Sequence, residues 1–159
     1  MTLVETLAAT ALVLVAIAGM GSMGVLGTTT TENQGHLAAR CTEYAQDKME
    51  QLLVLAWPDS TSDTRVFPAT NAGGTGLAVG GNSNPAAPAN GYVDYLDQNG
   101  NLLAAGAGAP ANWFYERVWA VTNPSVGLKQ ITVTATVRST LGGSAAPSST
   151  VSALKTDPF

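Results

Sequence analysis

His36 and Cys41 are the single histidine and the single cysteine of the chain. A Ser-His-Asp or Cys-His arrangement would have to be assembled around them. His36 stands beside a run of threonines in a helical stretch, where a helix-surface or subunit-contact role fits better than catalysis. Cys41 falls on the apolar side of the same pattern and reads as a small buried hydrophobe. One Cys excludes an internal disulfide framework, and one Cys with one His cannot make a Cys/His zinc site. Gly73-Gly74-Thr75-Gly76 and Gly80-Gly81 lack the Lys and helix start of a phosphate cradle. Asp94, Asp97, Asn99 and Asn101 imitate the front of a calcium loop, but no glutamate follows in 104–108 to complete an EF-hand. The cluster reads as a hairpin turn without metal, with calcium as the weaker candidate. No catalytic constellation and no cofactor emerge.

The remaining candidate is Glu5, marked by its surroundings. Of 159 residues only 11% are charged, less than half the roughly 25% usual in soluble domains. The net charge of −4 is a poor basis for binding nucleic acid, which needs clustered Lys and Arg. From Met1 to Thr31 the only charged side chain is Glu5. A helix over 3–26 would reach about 36 Å, enough for a bilayer core of about 30 Å. A secretory signal peptide would carry a basic start, and no Lys or Arg occurs before Arg40. An ordinary single-span anchor leaves Glu5 unexplained, since a carboxylate at mid-bilayer costs about 2.5–3.5 kcal/mol. The nearest cation is the α-amino group of Met1. In a bundle of such helices shifted by about one turn, a neighbour's amine meets the carboxylate, a pairing that specifies register more than it stabilises.

The elements that would position Glu5 follow from periodicity. Gly19, Gly21, Gly24 and Gly27 weaken the helix by about 1 kcal/mol each relative to Ala. Four β-branched threonines follow them. Close helix packing through small residues is one reading. Local unwinding within 19–31 is the favoured one. Helical periodicity then resumes, with Leu37, Cys41, Tyr44, Ala45, Lys48, Met49, Leu52 and Leu55 on one face. Arg40, Glu43, Asp47, Glu50 and Gln51 take the other, and Trp57-Pro58 ends the helix. Residues 59–91 read as a long loop rich in small residues, either plain surface or subunit contact. Strands are expected at 92–96, 102–104, 113–121, 128–138 and 150–154. Asn99-Gly100 turns the first pair. In the clearest strand, Ile131, Val133, Ala135 and Val137 alternate with Thr132, Thr134, Thr136 and Arg138. The division expected is an apolar helix over 1–31, an amphipathic helix over 32–57, a loop over 58–91 and a sheet over 92–159. The fold class is α+β, a long helix followed by an antiparallel β-meander that Leu37, Tyr44 and Leu52 pack against.

Met1-Thr2-Leu3-Val4-Glu5 with about twenty apolar residues behind it resembles the mature N-terminus of type IV pilins and type II secretion pseudopilins. The stretches 115–121 and 127–133 are similar, more loosely, to paired strands of minor pilins of the pilus-modification class. The resemblance implies that a prepilin peptidase has removed a basic leader and that the Met1 amine is methylated. It implies Glu5 and Met1 as assembly residues and a glycine-rich segment that melts in the filament. Copies of the chain, other pilins and an inner-membrane assembly machinery would be its partners, and an extracellular filament its destination. Calcium binding by some pseudopilins is a further hint. The chain departs from the best-known major pilins in having no disulfide-closed C-terminal loop. A minor pilin or pseudopilin priming a short filament is the alternative within the family, and a membrane-anchored binding module is the alternative outside it.

Overall fold

The computed structural model describes residues 2–103, 108–138 and 146–157, without the side chains of 24–26, 29 and 30. The fold is α+β: helix α1 (Leu3–Val54) followed by an antiparallel sheet of six strands. These are β1 (Gly80–Gly81), β2 (Val93–Leu96), β3 (Leu102–Leu103), β4 (Tyr115–Ser125), β5 (Leu128–Val137) and β6 (Ser148–Thr156). The chain forms two compact units, Met1–His36 and Leu37–Phe159.

The expected break at Gly19, Gly21, Gly24 and Gly27 is not present, because α1 is continuous through all four. Two effects carry the helix across. Elongation adds a hydrogen bond per residue without a second nucleation cost. In addition, Ser22 Oγ donates to the Gly19 carbonyl at 2.9 Å, and Thr31 Oγ1 to the Gly27 carbonyl at 2.9 Å. These hydroxyls fold onto the helix instead of competing with it. The helix also ends at Val54, earlier than Trp57-Pro58.

In the second unit, the amphipathic face falls where the spacing puts it: Cys41, Tyr44, Ala45, Met49 and Leu52 are buried, with Leu37 and Leu55 at the margin. They pack against Trp119, Val121, Ile131, Val133, Ala135 and Val137 of β4 and β5. Tyr44 meets Tyr115 edge-on with ring centroids 4.8 Å apart. The strand order is β3-β2-β4-β5-β6, with β1 also paired to β4. Only β4, β5 and β6 follow one another as a meander. The β2–β3 hairpin is set with β3 outermost, so that β2 is the strand beside β4. In its turn Asp97 Oδ1 accepts from the backbone N–H groups of Asn99 (2.8 Å) and Asn101 (2.9 Å). Gly100 at φ 86° supplies the left-handed residue, and a Cβ there would strike the Tyr44 ring.

The stretch read as a loop is tied down. Asp63 and Thr70 form an isolated bridge, Leu77 N–H donates to the Asp59 carbonyl at 2.8 Å, and the Leu77 side chain is fully buried. Leu77 is as much a core residue as Leu52. Leu77→Ala should therefore destabilise the chain by about 2–5 kcal/mol, as Leu52→Ala should. Chemical denaturation in detergent checks this, and a cost under 1 kcal/mol would mean that 58–91 is a loose loop after all.

Candidate functional site

Two features have chemistry beyond packing. The first is the start of α1. Thr2 takes the N-cap position: its carbonyl accepts from the backbone N–H of Glu5 at 3.0 Å and of Thr6 at 3.3 Å. Glu5 Oε2 in turn accepts from the Thr2 backbone N–H at 2.9 Å and from Thr2 Oγ1 at 3.3 Å. This is the glutamate half of a capping box, Thr-x-x-Glu: Glu5 satisfies a donor that the helix cannot, while Thr2 Oγ1 turns to the carboxylate and the Glu5 N–H goes to the Thr2 carbonyl. Glu5 therefore has a local role that the reading of its charge missed, although the four-residue signal stands in the sequence. Met1 lies outside the described residues, so its amine cannot be placed against Glu5.

Behind the cap, Leu3–Met23 has a mean hydropathy of 2.1 and none of it is buried. It is long and apolar enough to cross a membrane, as an anchor or a signal segment would be. Its hydroxyls are internally satisfied: Thr6 Oγ1 donates to the Leu3 carbonyl at 2.9 Å, and Thr10 Oγ1 reaches the Thr6 and Leu7 carbonyls at 3.0 Å. Such back-bonding lets Ser and Thr enter an apolar medium without an orphan donor. A Cβ added at Gly19, Gly21 or Gly27 would meet nothing within 4 Å. No side-chain contact among the described residues explains Gly19 or Gly21. Gly24 lies in the same helix.

The second feature is a buried ion cluster between the second half of α1 and the sheet. Asp94 of β2 and Arg117 of β4 face each other across the ladder. Arg117 Nε donates to Asp94 Oδ1 at 2.7 Å and Nη2 to Oδ2 at 2.9 Å, a bidentate pair. Lys48 Nζ donates to Asp94 Oδ2 at 2.8 Å and to the Thr64 carbonyl, and stands 4.1 Å from the Trp119 ring centroid. Arg117 Nη1 reaches half-exposed Asp47 Oδ2 at 2.7 Å. Burial pushes the Asp94 carboxyl up, but Arg117 and Lys48 outweigh it and hold the group below the usual carboxylate range. Burial pulls the Lys48 ammonium down to about 8, against the attraction of Asp94.

The calcium candidates are thereby separated. Asp94 is taken by two cations, Asp97 holds the hairpin turn, and Asn101 Nδ2 donates to Asp97 Oδ2 at 2.8 Å. No cluster of three or more potential metal-ligating side chains occurs among the described residues. His36 is exposed. Cys41 is fully buried, and burial raises its thiol to about 11, far from a nucleophile.

The arrangement, an apolar N-terminal helix followed by an antiparallel sheet, is compatible with pilin-like architecture. No family model, curated protein or solved structure matches the chain. The functional argument therefore rests on the residues themselves.

The ion cluster makes an asymmetric forecast. Asp94→Asn strands buried Lys48 and leaves Arg117 with only half-exposed Asp47, and should cost about 3–5 kcal/mol. Lys48→Met leaves the Asp94–Arg117 pair intact and unpairs the Thr64 carbonyl, for about 1–3 kcal/mol. Denaturation of both variants checks the ranking, and equal losses would remove the assigned role of Asp94. The pH dependence has a fixed sign. A carboxyl depressed in the folded state contributes stability above its unfolded pKa, about 3.9. That contribution fades as pH falls through the lower folded value, so the unfolding midpoint should drop below about pH 4.

Proposed function

We propose that the chain is a structural subunit of a type IV pilus-like helical filament, polymerising through its N-terminal helix. The observation that carries this reading is the uncovered segment Leu3–Met23, apolar on every side and headed by a carboxylate. A helix apolar all round must be enclosed by lipid or by protein. In the inner membrane, lipid encloses it before assembly. In the extracellular filament, the same helices of other copies do so, with the strand-rich heads forming the outer wall. Glu5 then meets the Met1 amine of a neighbour and fixes the helix register. The open sides of Gly19 and Gly21 admit close approach of those helices. Their low helix propensity also leaves 19–31 as the place where α1 stretches on assembly. Other pilins and an inner-membrane assembly machinery are the further partners. A minor pilin or pseudopilin would use the same helix, and abundance in purified filaments separates the two.

The capping box favours a second reading, a single-pass membrane-anchored binding module, since Glu5 there needs no partner. Glu5→Gln and Glu5→Ala discriminate between them. Glutamine keeps the capping box but loses the charge, whereas alanine loses both. If Glu5 pairs with a neighbour's amine, both variants insert in the membrane and both lose filaments in sheared cell-surface material viewed by electron microscopy. Normal filament yield from Glu5→Gln would refute the charge-pairing role. Absence of filaments containing the unaltered chain would favour the anchored module.

A further inference from the structure

Strand β6 ends the sheet, and among the described residues nothing pairs with its outer edge. The phase of the ladder can be read from the two bonds that flank it. Val137 N–H donates to the Pro147 carbonyl at 3.3 Å, and Asp157 N–H to the Gly127 carbonyl at 2.9 Å. In an antiparallel ladder, hydrogen-bonded pairs alternate with non-bonded ones. Ser149, Val151, Ala153 and Lys155 therefore point their N–H and C=O groups inward to β5. Ser148, Thr150, Ser152, Leu154 and Thr156 point theirs outward, and no backbone group of the described residues pairs with them.

Among the described residues, none of the usual protections guards this edge. Natural edge strands are short, bulged, charged or interrupted by proline. β6 spans nine residues, Ser-Ser-Thr-Val-Ser-Ala-Leu-Lys-Thr, without proline or carboxylate. Its one charge, Lys155, is turned away: Nζ donates to the Leu53 carbonyl at 2.6 Å and the Leu55 carbonyl at 2.7 Å. The opposite edge strand, β3, has only two residues.

We infer that β6 is an interaction surface for a second copy of this chain, paired antiparallel about a two-fold axis at Ser152. That register sets Ser148 opposite Thr156, Thr150 opposite Leu154, and Ser152 opposite itself. Every outward donor then meets an outward acceptor, five from each copy. Two properties of the strand single out its own copy as the occupant. The outward set is self-complementary about Ser152, placing hydroxyl against hydroxyl at its centre and ends. The same hydroxyl pairing already occurs within the chain, at Thr132–Ser152 (3.1 Å) and Thr134–Thr150 (2.9 Å). Charge also permits it: in a chain of net charge −4, β6 carries no acid to repel its twin, and Lys155 falls opposite Ser149 rather than another lysine. The resulting isologous contact makes one sheet continuous through two heads. It is built from β6 alone, so it stands or falls separately from the filament reading.

Cysteine pairing tests the register in the full-length chain in detergent, where buried Cys41 contributes no competing thiol. Opposed residues of a bonded pair lie about 5.5 Å apart, within disulfide reach. Thr150 of one copy lies about 14 Å from Thr150 of the other, out of reach. Under mild oxidation, a mixture of Thr150→Cys and Leu154→Cys chains should give severalfold more cross-linked dimer than either alone. Ser152→Cys should cross-link by itself, and Val126→Cys, fully exposed elsewhere, should not. Equal yields from the mixture and from its components overturn the proposal, as does cross-linking confined to an added foreign strand. Ser152→Pro provides a second readout. It deletes an outward N–H while leaving the β5 ladder whole. The expected result is a native circular dichroism spectrum with the dimer, trapped by a short amine-independent cross-linker at Thr150 and Leu154 cysteines, lost. Undiminished cross-linking in a folded Ser152→Pro chain also overturns it.

Discussion

The second unit depends on one fully buried carboxylate. Asp94 is held by Arg117 from the neighbouring strand and by Lys48 from the helix, and all three are nearly inaccessible. Two cations against one carboxylate make a cluster that tolerates only one arrangement. A one-residue slip of β2 along β4 would bring Val93 or Tyr95 opposite Arg117 and send Asp94 to the other face. A one-turn slide of α1 would withdraw Lys48 from Asp94 and from the Thr64 carbonyl. Such clusters contribute little net stability compared with an apolar filling, and a specified register is the better-attested return. Here one contact sets helix against sheet and strand against strand together. It also fixes the segment that carries Thr64.

The other basic residues serve in the same way. The last turn of α1 has no basic residue of its own. Lys155 of β6 supplies the missing donor to the Leu53 and Leu55 carbonyls. Its cross-strand partner Lys129 donates to the Trp57 and Leu77 carbonyls at 2.8 Å each. Lys155 thus meets the carbonyls at the helix end, and Lys129 holds the chain just beyond it. Arg65 is spent on Asp63 and the Gly73 carbonyl, and Arg138 on the Ala111 and Trp113 carbonyls. With only seven Lys and Arg, the chain uses its cations as internal staples.

What could be read in advance follows the range of each interaction. The alternation of Ile131, Val133, Ala135 and Val137, and the helical face from Leu37 to Leu55, are local periodicities, and both reappear in the core. Lys48 already stood on that face, but its partners, the Thr64 carbonyl and Asp94, are 16 and 46 residues away, separations that no local pattern reports. Leu77 stands in a run of glycine, threonine and alanine with only exposed Val79 as a large apolar neighbour, too short a pattern for periodicity to single it out. The Thr2–Glu5 capping box was legible and was masked by attention to charge. The glycines around 19–27 were legible as weakness, yet weakness alone does not break a helix that is supported on both sides.

The chain leaves two demands open, and they differ in kind. Leu3–Met23 asks to be removed from water, a non-directional demand that lipid or other helices meet without fixing any register. The edge of β6 asks for donors and acceptors at fixed spacing, which only another extended backbone can meet. A surface of the first kind recruits copies without ordering them. Order must then come from directional groups, and the apolar segment has few. Its hydroxyls at Thr6, Thr10 and Ser22 are already bonded to its own carbonyls. Glu5 spends hydrogen bonds on its own helix start, but a carboxylate retains its charge when it caps. In the filament proposed above, that leaves charge, rather than hydrogen bonding, as the property by which Glu5 would set one helix against another.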